Sequence, residues 1–151
     1  MTAPDTDILA DLVRAKRSCL IQLRDAGRRQ LELIDGGNMT ALLDLLAAKQ
    51  RTIAQLQRIE RALDPFRGQD PGQRRWRTPQ NRAACSEQLQ QCEMLLGEII
   101  GQEKCSESSL TRRRDEAAVR LQGVHLAGVA RGAYTAQPQP NVSQLDLLSE
   151  R

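Results

Sequence analysis

Between Pro79 and Pro138 the sequence contains no proline, and across that span apolar residues return at heptad spacing. Leu89, Leu96, Leu110, Ala117 and Val124 fall on one register, with Cys85, Cys92 and Ile99 on the other. A 4-3 spacing held over roughly five heptads predicts a long helix with a narrow apolar seam. Thr78 offers an N-cap oxygen, and Pro79 takes the first helical position, where its missing N–H leaves no bond unmade. Gly132 and the prolines at 138 and 140 set the far end near Tyr134. A helix over 79–134 would be about 80 Å long. It needs partner helices along its length.

Two earlier segments supply them. The first runs from about residue 7 to residue 34, with Leu9, Val13, Leu20, Leu23, Leu31 and Ile34 as its stripe and Leu12, Ile21 and Leu33 widening it. Asp5, Asp7 and Asp11 suit the positive end of its dipole. Gly27 lies in the stripe, which predicts close approach of a neighbouring helix there. Asp35-Gly36-Gly37-Asn38 combines a left-handed C-cap with an N-cap for the next helix, so the first two helices are antiparallel. The second spans 39–64, with Leu42, Leu46, Ile53, Leu56 and Leu63 along its seam and Leu43, Leu45 and Ile59 beside it. Lys49 interrupts that seam. Its expected posture is a packed stem with the ammonium reaching water. Asp64-Pro65 marks the expected end.

The expected fold is therefore all-α: an elongated antiparallel helical hairpin or three-helix bundle over residues 1–134, with one very long coiled-coil-like helix. Only Phe66, Trp76 and Tyr134 are aromatic, which fits helices packed through Leu, Ile, Val and Ala better than a β-sandwich or an α/β core. The third helix has a polar middle, where Glu103, Ser106 and Arg113 take seam positions. Such a stretch marks a bend, the edge of a bundle or a register device. Residues 135–151 read as a flexible tail, rich in Gln, Pro and Asn at first and then carrying Val142, Leu145, Leu147 and Leu148.

Charge is locally distributed. Of the formal net charge of +3, residues 1–37 and 79–134 contribute nothing, while the loop 65–78 carries Arg67, Arg74, Arg75 and Arg77 against Asp70. Arginines around Trp76 could contact phosphates and stack on bases. A loop with Trp76 folded back onto the bundle is the stronger expectation, and nucleic acid is an unlikely partner. No catalytic motif is present: no phosphate-binding glycine loop, and no nucleophile set near the lone His125. Cys19, Cys85, Cys92 and Cys105 lack zinc spacing and read as small buried hydrophobes, so no enzyme activity, metal or cofactor is expected. No apolar run is long enough for membrane insertion and no signal peptide leads the chain, which points to a cytoplasmic protein. Without a signal peptide, the Asn141-Val142-Ser143 sequon carries no meaning.

The segment 38–64 resembles the second helix of FlgN-like flagellar export chaperones. In that family a short turn leads into a leucine-rich run, then a lysine followed by further seam residues, and Leu42, Leu46, Lys49, Ile53 and Leu56 match it here. The flanking amphipathic helix and long last helix extend the resemblance over residues 8–134. It implies a cytosolic chaperone of type III secretion in bacterial flagellum biogenesis. Such a protein binds the C-terminal helices of hook–filament junction proteins and delivers them to the export gate. It further implies client binding by Val124, Val129, Tyr134, Val142, Leu145, Leu147 and Leu148, and docking of the gate component through Tyr134. An amphipathic end-cap role for Tyr134 stands beside that. The alternative is a structural coiled-coil scaffold that self-associates through the third helix as a homo-oligomer. The arginine–tryptophan loop and the cysteines depart from the family pattern and leave client identity open.

Overall fold

The computed structural model describes residues 3–135, and every element longer than one turn among them is an α-helix. Helix α1 is Ala3–Gly36 and α2 is Met39–Arg67. Between them Gly37 adopts φ 72°, donating to the Ile34 carbonyl at 3.1 Å while Asn38 N–H reaches the Leu33 carbonyl at 3.0 Å. This is a Schellman turn, and glycine meets its left-handed residue without a Cβ penalty. The Asn38 side chain accepts the Ala41 N–H at 3.2 Å and starts α2. The antiparallel hairpin expected from Gly-Gly-Asn is present.

Both helices run further than expected. Helix α1 starts at Ala3, with Pro4 tolerated in the first turn and Asp5 at the positive end of the dipole. Helix α2 passes through Pro65 to Arg67. Pro65 forfeits one backbone bond, but Phe66 beyond it packs against the cluster of Leu9, Val13, Ile59 and Leu63, and Arg67 pairs with Glu60 and Asp64. The half-buried Phe66 and the Arg67 ion pairs tie down the turn that follows the proline. A short 3-10 turn at Pro71–Gln73 then leads to α3, Pro79–Thr135, where the Thr78 hydroxyl accepts the Asn81 N–H at 3.0 Å.

The chain divides into two compact units, one ending at Leu110 and one beginning at Thr111. The apolar core of the first unit has three levels, and α3 lies against the hairpin at two of them. Cys85 joins Leu9, Val13, Cys19, Ile59 and Leu63. Cys92 and Leu95 join Leu20 and Leu23, with Ile21, Ile53, Leu56 and Ile99 around them. Near the hairpin turn Leu33, Ile34 and Leu42 cluster with Ala41, Leu45 and Leu46, and no residue of α3 belongs to that cluster. Fully buried Val13, Leu20 and Ile34 each contribute about 1.5–3 kcal/mol.

The register of α3 corrects part of the sequence expectation. Cys85, Cys92 and Ser106 are buried and Ile99 is half-buried, so the cysteine register faces the hairpin. Leu89, Leu96 and Leu110 are 40%, 36% and 38% exposed, and Ile100 beside them 54%. The α3 side chains that enter the groove are Cys85, Cys92 and Leu95, with Ser106 further along, while the other leucines stay outside it. Leu43 of α2 is likewise exposed. Cys19, Cys85 and Cys92 are buried as expected, but Cys105 is exposed.

Candidate partner-binding surface

Four places carry side chains that chemistry or recognition could use. The first is the polar level of the first unit. Lys49 is only 8% exposed, and its Nζ donates to Gln30 Oε1 at 2.7 Å and pairs with Glu103. The expectation of an ammonium in water is corrected: no stem of that length clears the groove once α3 lies over it, and Glu103 arrives instead. One turn away Gln102 Nε2 donates to the Arg24 carbonyl at 3.0 Å, while Gln102 Oε1 and Ser106 Oγ are buried without partners. At this level α3 is held by polar contacts and by shape. Unpartnered buried oxygens weaken it by about 1–3 kcal/mol each.

The second is the 65–78 loop. Trp76 is half-buried against the Leu9 cluster, and Thr6 Oγ1 donates to the Arg75 carbonyl at 2.7 Å. Arg74 donates to the Phe66 carbonyl at 2.7 Å, and Arg77 pairs with Asp7 at 2.6 Å. The tryptophan is folded back as expected. Two of the arginines that could have met phosphates are directed at the protein itself.

Beside this loop lies the third, a cleft of about 360 Å³ lined by Thr6, Asp7, Asp11, Arg14, Trp76 and Gln88. Its carboxylates are neutralised locally, Asp7 by Arg77 and Asp11 by Arg14. Among the described residues no group of three metal-ligating side chains converges. Titratable groups respond to simple causes. Burial raises the thiols of Cys19, Cys85 and Cys92 above their ordinary range. Burial also pushes the Glu60 carboxyl up, but Lys16 at 2.9 Å and Arg67 outweigh it and hold it below the usual carboxylate range.

The fourth is the second unit. From Ala117 to Tyr134 the only charged side chains are Arg120 and Arg131, yet the apolar ones face solvent. Val119, Leu121, Val124 and Leu126 are 59–70% exposed, Val129 40% and Tyr134 94%. No helix among the described residues is long and apolar enough to cross a membrane.

Val124, Val129 and Tyr134 do not share a face. Residues five apart on an α-helix lie about 140° round from one another, so the three point to different sides. Val124 instead shares a face with Ala117, Leu121 and Gly128, while Val129 lines up with Val119, Leu126 and Ala133 on nearly the opposite face. Counting 3-4-7 spacings within 117–134 finds both stripes in the sequence. Val142, Leu145, Leu147 and Leu148 lie outside the described residues.

Comparison with protein-family models, with curated proteins and with solved structures returns no match to this chain.

Proposed function

We propose that this chain is a helical export chaperone of the flagellar type III kind, holding an amphipathic client helix and keeping it from aggregating. One observation carries the reading. The helix over Ala117–Tyr134 exposes large apolar side chains on two faces and keeps almost no charge with which to hold itself in water. A solvated helix of that composition is a surface awaiting a partner. Helix-on-helix docking suits it, because anchors at 3-4-7 spacing meet the apolar face of an incoming helix. The resemblance of residues 38–64 to FlgN-like chaperones names the client class, the C-terminal helices of hook–filament junction proteins. In this reading the client lies on Val119, Leu126 and Val129. Tyr134, fully presented to solvent, is the residue offered to the export gate.

The test is co-purification of the full chain with C-terminal segments of hook–filament junction proteins. A soluble complex of fixed stoichiometry is expected, weakened at least about tenfold by Leu126→Glu with Val129→Glu, since two anchors are lost. Failure to form any complex, or equal binding by the double variant, would remove the proposal.

A further inference from the structure

Within the first unit, α3 changes the way it is held. Up to Ile99 its inward side chains are apolar: Cys85, Cys92, Leu95 and Ile99 belong to the hairpin's clusters or pack on them. Beyond that point the inward side chains are Gln102, Ser106 and Ser109, and no α3 residue joins the cluster of Leu33, Ile34 and Leu42. Ser106 is 2% exposed and buries its hydroxyl without a partner, as Gln102 does its Oε1. The Lys49 side chain is buried at the same level. Between the two stretches stand Gly97 and Gly101, both on the exposed side of the helix. A Cβ on either would meet nothing within 4 Å, so packing does not call for glycine there. What glycine brings instead is weak helix propensity, in the turn where the packing changes.

We infer that residues 102–110 form an arm that lifts from the hairpin about a hinge at Gly97 and Gly101, while α3 before the hinge stays seated. Lifting exchanges protein contacts for water at little loss. The Gln102 bond to the Arg24 carbonyl and the Lys49–Glu103 pair are replaced by hydration, and the Arg28–Glu98 pair at the hinge is already exposed. Lys49 keeps its bond to Gln30, since both lie on the hairpin. In return the two orphaned oxygens and the Lys49 ammonium gain the water denied them while the arm is down. Before the hinge no such exchange is open, because release would expose Cys85, Cys92 and Leu95. Weak seating and weak backbone coincide, which gives one continuous helix two positions for its arm. A ligand that favours either position shifts the balance between them. Every residue involved lies in the first unit, and none belongs to the client surface.

The test uses the full chain with a thiol under the arm. Ser106→Cys in a Cys105→Ser background replaces the buried hydroxyl with a group of similar size, and Cys92 serves as the seated control in the same molecule. Maleimide labelling read by mass spectrometry is expected to modify position 106 at least about tenfold faster than Cys92. Adding Gly97→Ala with Gly101→Ala, for which there is room, is expected to slow position 106 by at least about tenfold. Gly128→Ala with Gly132→Ala, equally free of obstruction, is expected to leave that rate unchanged. Labelling at 106 no faster than at Cys92 overturns the inference, because α3 then stays down or leaves as one piece. So does a rate that the first glycine pair fails to slow, or that both pairs slow alike. Hydrogen exchange of the wild type gives the same answer without a variant at Ser106. A lifted arm without a partner helix frays, so amides over 102–110 should exchange at least about tenfold faster than those over 85–96. Equal protection of the two stretches overturns the inference as well.

Discussion

Gly27 of α1 faces Gln102 of α3 so closely that a Cβ on Gly27 would lie 2.7 Å from the Gln102 amide carbon. The glycine is a gap shaped for that amide, which enters it and donates to the Arg24 carbonyl one turn earlier. Gly27→Ala gains about 1 kcal/mol of helix propensity but displaces an amide whose hydrogen bond is worth about the same. The single substitution is expected to be near neutral. Gly27→Ala combined with Gln102→Ala should exceed the sum of its parts by about 0.5–1 kcal/mol, because the second change removes the obstruction. Chemical denaturation of the four proteins in the cycle checks it; strict additivity would mean the contact is not made.

The Lys49 level makes a sharper claim. Lys49→Ala leaves a hole in the seam and Gln30 without its donor, and is expected to destabilise by about 2–4 kcal/mol. Lys49→Met with Gln30→Leu refills the space with apolar atoms and leaves Glu103, already half-exposed, to water. That pair should match or exceed wild-type stability. If the apolar pair is instead as damaging as the alanine, the buried ammonium is a net stabiliser. Thermal unfolding of both variants decides it.

How much of this was legible in the sequence differs by element. The hairpin was, because Gly36-Gly37-Asn38 can do little but turn, and Leu9, Val13, Leu20, Leu23 and Ile34 repeat at helical spacing. The register of α3 was only half legible. Its leucines at 89, 96 and 110 are the larger apolar residues, yet Cys85, Cys92 and Ser106 go inside. Which stripe is buried depends on the width of the groove left by α1 and α2, a property of three helices at once and not of one periodicity. The same holds for Pro65, overruled by Phe66 one residue later. On the Ala117–Tyr134 stretch, Val124, Val129 and Tyr134 are what the family resemblance implies, and the helix spreads them around its axis.

Thiol accessibility follows directly from the packing. Cys105 is exposed, whereas Cys19, Cys85 and Cys92 are buried with their thiols shifted upward by burial, so less thiolate forms at neutral pH. A maleimide reagent is expected to label Cys105 rapidly and the other three only as fast as the bundle opens. Mass spectrometry of time points identifies the sites. Prompt labelling of Cys92 would mean that α3 does not stay seated at its middle level.

Acid sensitivity is expected at Glu60, where α1 and α2 meet through Lys16 and the end of α2 is fastened through Arg67. Its folded carboxyl lies below the ordinary range, so the unfolded chain takes up a proton first as pH falls. The stability it supplies is fully present above the ordinary carboxylate value, about 4.3, and is lost as pH drops through the lower folded value. Glu60→Gln keeps the shape and removes the charge. Its melting temperature should lie below wild type at neutral pH, and the difference should shrink on acidification until the two proteins melt together. A difference that stays constant with pH would assign the effect to packing of the side chain, not to its charge.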